Sequence, residues 1–546
     1  MNETNINNIK EIELEAKLIL EYKYANANDN ASSTYSSSGT SSFSNMSLQE
    51  TLNKMINPNT LHISSEKILE TLENPSTLTC NLIQNFQMLI DEIPTELTNL
   101  PYGIYPDAQI EYNSARFIYN KLLNYFPHAI YYPTNAEEIS YLMKWFVFYN
   151  LDFAIRSGGH SYEPASLSSG YILDVSQIDE YIIINDDRNS AKMSAGLKLG
   201  YILEYLGENK LIMPTGNASC VGLAGLSLAG GKGNLSRLYG MVCDNILSIK
   251  MINWEGRIIT ANETENTDLF WACKGAGTGN FGIIYELEMK VYEDRYCQIE
   301  KFTWKWNATQ VKIVFDVYQR LLLQLPNEII LDFNMTCNNG EASFFMEFIK
   351  FGESAFIEIN EFRNLFTPTI SVHTGFYSQM TDVWVSYDKG KSPPFSKIKS
   401  NMIFAPISQV VLDTLVDSID YFIIKKYKMN YQLNFSQLGG AASEGSSNDS
   451  NSNSSNSSYF PKSAITTLSY FMQWTYPELT TIVKSYLEKL YSETTPLISN
   501  YVFPNLIDYD LDDYMTKYYG TNQNRLRDIK NKYDPKNIFR SFQSIR

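Results

Sequence analysis

The chain has 546 residues, 44% hydrophobic and 19% charged, enough for two or three globular domains that each bury a core. Sixty acidic side chains against 44 basic ones give a formal charge of −16, which favours solubility and excludes a nucleic-acid partner or an anionic membrane surface. No apolar run reaches the roughly 20 residues of a membrane span, and six cysteines without CxxC spacing offer neither a metal site nor a disulfide framework.

The N-terminus, MNETNINNIKEIELEAK, has neither a basic n-region nor an apolar h-region. It predicts no classical secretion and leaves a cytoplasmic protein or a component of a viral particle open. Residues 8–23 carry apolar side chains at helical spacing, whereas 25–47 are too poor in large apolar residues to fold. We read 1–109 as an extension, disordered over 25–47, that docks on the main body or joins copies of the chain into a homo-oligomer. From about 110 the texture becomes α+β. AEEISYLMKWFVFYN (136–150) predicts a helix, and YIIIN (181–185) and ILSIKMIN (246–253) predict strands. From about 296 to 435, runs such as EASFFMEFIKF alternate with amphipathic stretches such as ISQVVLDTLVDSIDYFIIKKY, predicting an antiparallel sheet with helices on one face. The Asn/Ser-rich insert at 442–458 reads as a disordered, solvated loop.

Three glycine segments stand out. Arg156-Ser157-Gly158-Gly159-His160-Ser161 lies between two extended runs, where adjacent glycines let backbone N–H groups form an anion nest suited to a pyrophosphate; an ordinary turn is the plainer alternative. Residues 216–233 hold six glycines (Gly216, Gly222, Gly225, Gly230, Gly231 and Gly233), which predicts close approach to a large flat ligand. Gly277-Thr278-Gly279-Asn280-Phe281-Gly282 matches GxGxxG, but a helical run precedes it and a strand follows. The dinucleotide fingerprint needs the opposite order, so no Rossmann site is expected.

Together these segments resemble the berberine-bridge-enzyme-like branch of the vanillyl-alcohol-oxidase/PCMH flavoprotein superfamily. The resemblance rests on ordered motifs: Tyr132-Pro133-Thr134-Asn135-Ala136-Glu137-Glu138, RSGGHSY, LDVSQID, SAGLKLG, GNASCVGLAGLSLAGGKG, ENTDLFWACKGAGTGNFGII and the closing YYGTNQNRLRDIKNKYDPKNIFRSFQSI. It implies a PCMH-type FAD-binding domain of two α+β subdomains over 110–295 and 500–546, with a substrate domain inserted at 296–499. His160 stands where such enzymes bond the flavin's 8α-methyl, whereas His62, His128 and His373 have no such context. Many relatives add a cysteine bond in G-x-C-x-x-V-G. That position is Ala218 here and Cys220 lies two residues on, so a single attachment through His160 is expected. Val221, of modest size beside the flavin, favours reaction with O2. The remaining expected cofactor contacts are Gly282, Ile283 and Asn505.

The resemblance implies hydride transfer from an alcohol or a sugar hemiacetal to FAD, with O2 reoxidising the flavin to give H2O2. The family's "Y-x-N" proton acceptor reads Phe503-Pro504-Asn505 here, and Phe cannot accept a proton. Tyr501, on the same face of an extended segment, is the substitute, a poor base unless its pKa falls from about 10. Two other readings stay open: a flavin dehydrogenase with another electron acceptor, and a structural or assembly protein retaining the fold.

Overall fold

Thr134-Asn135-Ala136-Glu137-Glu138 starts a helix for a local reason. In the computed structural model the Asn135 side chain accepts a hydrogen bond from Glu138 N (2.9 Å), and the Glu138 carboxylate accepts one from Thr134 N (2.7 Å). The structure describes residues 100–352, 359–386, 393–444 and 456–546. The expected extension 1–109 lies outside the described residues up to position 99, and its last stretch belongs to the main body through strand Gly103–Ile104. Of the expected solvated insert 442–458, residues 445–455 lie outside the described residues, whereas Ala442, Ser457 and Ser458 are buried against the fold rather than solvated.

The helix Ala136–Phe148 connects strand Ala129–Tyr131 to Phe153–Arg156. Both strands run parallel to Tyr171–Asp174, which lies between them, and Gly103–Ile104 closes the four-stranded sheet on one side. Ile139, Leu142, Met143 and Phe146 of the helix are buried against Tyr131 and Leu173, which explains the apolar stripe of the sequence. A second, five-stranded sheet is antiparallel, with Ile283–Lys290 between Ser190–Ser194 and Ile246–Ile252. Around the GxGxxG match, helix Thr267–Ala276 comes first and strand Ile283–Lys290 second, the inverted order read from the sequence.

The third sheet has seven antiparallel strands formed within 296–474. Burial alternates along the whole of Met429–Gln437 and, after three buried residues, along Ile329–Asn338 and Thr466–Trp474. Phe333, Met335, Leu433, Phe435, Tyr470 and Met472 are buried with residues of helices Ala308–Leu322, Gln409–Lys425 and Thr480–Ile498 on one face. The opposite side chains are half-exposed. The architecture is α+β, as the sequence predicts.

The C-terminal helix Gln523–Tyr533 returns to helix Thr267–Ala276. Lys532 pairs with Asp268 (2.7 Å), and the Arg525 guanidinium lies 3.8 Å from the Trp271 ring centroid. Buried Lys530 donates to Asn280 O and pairs with fully buried Asp534, while Ile545 N donates to Asn280 Oδ1.

Candidate functional site

Strand Phe153–Arg156 ends in the turn that carries His160. Gly159 sits at φ +59°, a conformation that favours glycine. Gly158 meets Gly222 backbone to backbone: a Cβ on Gly158 would stand 2.3 Å from Gly222 N, and one on Gly222 would stand 2.5 Å from Gly158 N. The His160 ring stacks on Tyr119 with centroids 4.1 Å apart, and Tyr119 N donates to Gly159 O, which ties the stacking ring to the turn.

A cavity of about 720 Å³ opens beside this turn. Segment 114–121 forms one wall, Arg156–His160 another, and Ser176, Lys198 and Cys220 reach it from further along the chain. Lys121, Arg156 and Lys198 outnumber Asp174 in its lining, which suits an anion. Arg156 and Asp174 form a buried pair at 2.5 Å, and Arg156 Nη2 donates to the Tyr132 hydroxyl (3.3 Å). Its buried Nη1 has no hydrogen-bond partner among the described residues. Among the described residues the N–H groups of Gly158 and Gly159 also lack an acceptor. A buried donor such as Arg156 Nη1 is costly unless a ligand uses it, and the half-buried glycine N–H groups are open to the same ligand. The donor set therefore fits the diphosphate of FAD, and the cavity volume lies in the range of cofactor sites.

The glycine-rich segment has a different explanation from the one expected. Four of its six glycines are demanded by the chain itself. A Cβ would fall 2.5 Å from Gly158 N at Gly222, 2.5 Å from the Tyr459 ring at Gly230, 2.6 Å from Val242 at Gly231 and 1.6 Å from Thr215 O at Gly233. Gly216 makes ordinary contact with Leu226, and Gly225 faces open space. Asn505 fastens the segment, accepting from Gly231 N (2.8 Å) and donating to Leu226 O (3.0 Å).

The predicted site residues divide accordingly. Arg156, Ser157, Gly158, Gly159, His160 and Cys220 line the cavity. Ser161 accepts from Glu163 N within the turn, and Val221 O accepts from Leu199 N. Ala218 forms a parallel bridge with Ser386. Gly282 and Ile283 pack on Ile252 in the five-stranded sheet, outside the cavity wall. Phe503 is buried, its N–H donating to Ser400 Oγ. The Tyr501 ring packs edge-on against Phe404 and Phe460. His128 sits beside Tyr171, and His373 lies on the exposed edge strand Thr369–Phe376.

Tyr162, two residues after His160, packs edge-on against Phe471 and so brings the turn to the half-exposed face of the seven-stranded sheet. Across that face Phe345, Asn334, Asn434, Ser469 and Ser400 stand in register on five strands, and Gln432 pairs with Phe471 in the next row. Further along, Glu347 lies between Lys301 and Asp332, and Lys232 of the glycine-rich segment reaches Asp332 at 3.6 Å. Burial and the neighbouring Asp332 carboxylate push the Glu347 pKa up, against the pull of Lys301 and Lys232. These two carboxylates are not among the residues singled out from the sequence; the available signal was an acidic residue inside each of two mostly apolar strand runs, IILDFNM and FFMEFIKF.

Comparison with known proteins adds to this geometry. A family model described as FAD binding domain matches residues 127–262, and one described as berberine and berberine like matches 502–546. The uncharacterised FAD-linked oxidoreductase YgaK of Bacillus subtilis (strain 168) is 29% identical over 468 residues, covering 82% of this chain and 98% of that protein. Berberine bridge enzyme-like 3 of Arabidopsis thaliana is 25% identical over 454 residues, covering 72% and 80%. Among solved structures, BBE-like 1 of Physcomitrella patens aligns with a TM-score of 0.71 at 24% identity over 82% of this chain and 96% of that one. The xylooligosaccharide oxidase from Myceliophthora thermophila C1 aligns at 0.70 and 22% over 82% and 97%, a likeness of fold alone. With the FAD binding domain matched over the His160 turn and the berberine-like segment matched over the C-terminus, the chain belongs to the berberine-bridge-enzyme-like FAD-linked oxidoreductases of the vanillyl-alcohol-oxidase/PCMH superfamily.

Proposed function

We propose that the chain oxidises an alcohol carbon of a small polyhydroxylated molecule, a sugar hemiacetal being the leading case, with FAD joined to His160 alone and O2 as acceptor. Bound FAD supplies the hydride acceptor. Arg156 and the Gly158–Gly159 donors hold its diphosphate, and the stacking of His160 on Tyr119 orients the imidazole. Ala218 carries only a methyl group where a second, sulfur link would otherwise form. Cys220 lines the same cavity and is the residue to watch in a peptide analysis.

One observation carries the substrate class. The face that Tyr162 joins to the His160 turn bears amides and hydroxyls from neighbouring strands, with Phe345 and Phe471 among them. Donors and acceptors beside aromatic faces suit the hydroxyls and C–H faces of a sugar. Chitooligosaccharide oxidase, the xylooligosaccharide oxidase crystallised with xylobiose and a carbohydrate oxidase from Microdochium nivale share the fold, in line with this reading. Glu347 is our proposed proton acceptor, because a carboxylate with a raised pKa is better matched to a neutral substrate hydroxyl than an ordinary one. Tyr501 remains the alternative.

The test is a peroxide-coupled assay of the flavin-loaded protein against mono- and oligosaccharides and simple alcohols. Peroxide formed in step with sugar consumed is the expected result. A loaded protein whose flavin no sugar or alcohol bleaches, with or without air, would overturn the proposal.

A further inference from the structure

Two residues that follow His160 are tied to two consecutive residues of the inserted sheet. Tyr162 O accepts from Asn120 Nδ2, which also donates to Ser396 O (2.9 Å), while Ser396 N donates back to Asn120 Oδ1 (2.9 Å). Asn120 is fully buried at this junction. One residue further along, the Glu163 carboxylate receives the Lys397 ammonium at 2.5 Å.

Lys397 is the second member of a buried chain of alternating charge. It also meets Asp508 at 3.0 Å, and Asp508 meets Lys399 at 2.7 Å. All four side chains, Glu163, Lys397, Asp508 and Lys399, are less than a tenth exposed, and two carboxylates balance two ammonium groups. Partly exposed Asp510 reaches both lysines at 2.8 and 3.4 Å, and Glu488 reaches Lys399 at 2.9 Å. Burial draws the Lys397 pKa down, but Asp508 and Glu163 outweigh it, so the ammonium stays charged. The network joins three distant segments: the His160 turn, strand Phe395–Ile403 and the stretch that follows Phe503.

A single buried pair is weak evidence for anything but charge compensation. Here the ion pair and the Asn120 bonds act on adjacent residues, 162–163 against 396–397, and so fix both the distance and the register of the turn relative to the strand. That strand pairs with Thr466–Trp474, which carries Phe471 and Ser469 of the proposed substrate face. We propose that Lys397 is a positioning residue: through Glu163 it holds the His160 turn against the inserted sheet, so that flavin attachment and the placing of the substrate wall depend on one buried contact.

The proposal rests on the reading that His160 bonds the flavin. In that attachment an imidazole nitrogen of His160 forms a bond to the 8α carbon and a C–H bond there breaks. The imidazole N–H is lost as well, and the two protons and two electrons released would pass by way of the flavin and solvent to O2, giving one H2O2 per bond formed. Misplacing the imidazole should slow this step by about 10- to 100-fold, the usual cost of lost orientation.

Three proteins are compared for flavin retained after acid precipitation, for near-ultraviolet circular dichroism and for melting temperature: wild type, Lys397→Met and Glu163→Gln/Lys397→Met. The single variant leaves Glu163 uncompensated and should melt lower and attach flavin about 10-fold more slowly. The double variant removes that stranded charge and should regain much of the melting temperature while attachment stays slow. If the single variant does not fold, the double variant decides alone. Wild-type attachment in either folded variant would overturn the proposal and leave Lys397 a charge-balancing residue. If wild type itself releases its flavin in acid, the attachment reading has failed; the seam is then judged by flavin affinity, expected to fall about 10-fold in the double variant, with unchanged affinity overturning it.

Discussion

Glu347 interrupts the apolar run FFMEFIKF, and its strand geometry explains why. Its neighbours Met346 and Phe348 point to the helices and are fully buried, while Glu347 points to the half-exposed face opposite Asp332. A raised pKa has a definite sign for catalysis. A carboxyl acting as proton acceptor must be ionised, so kcat/KM should fall as pH drops through a value above the ordinary carboxylate range. Glu347→Gln keeps the shape, removes the base, and should lower kcat by about 100-fold while abolishing that acid limb. Steady-state rates from pH 4 to 9 check this; a variant with the wild-type profile would return the role to Tyr501 or to another group.

At the scale of elements, the His160 turn and the glycine-rich segment meet backbone to backbone at Gly158 and Gly222. The glycines were legible as demanding close approach, but their partner was misread. Sequence shows that a position lacks a side chain, not what presses against it, and at Gly222 the pressing group is the backbone of Gly158. Gly158→Ala should cost about 3 kcal/mol, because backbone cannot yield as a side chain does, and flavin content should fall with it. Gly225→Ala is the matched control. It lies in helix Leu223–Leu228 with nothing within 4 Å of its Cβ, and should gain about 0.5–1 kcal/mol. Chemical denaturation of both variants measures the contrast, and equal losses would mean that the close approach is not what Gly158 provides. Elements with a local cause were read well: the helix Ala136–Phe148, the helix Gln409–Lys425 and the strand Glu341–Phe351 all carry their own periodicity.

Across the whole molecule, the α+β class and the one-sided cover of the inserted sheet were legible because burial alternates within single strands. The buried ionic chain was not, because Glu163, Lys397 and Asp508 are separated by more than a hundred residues at each step and only the fold brings them together. The same holds for the cavity, whose wall draws on segment 114–121 as well as on the His160 turn. If this arrangement loads FAD onto His160, peptide mapping of the acid-denatured protein will show it: the precipitate should stay yellow and a single flavin-bearing peptide should contain His160. Colour lost to the supernatant, or flavin found on a peptide containing Cys220, would contradict it.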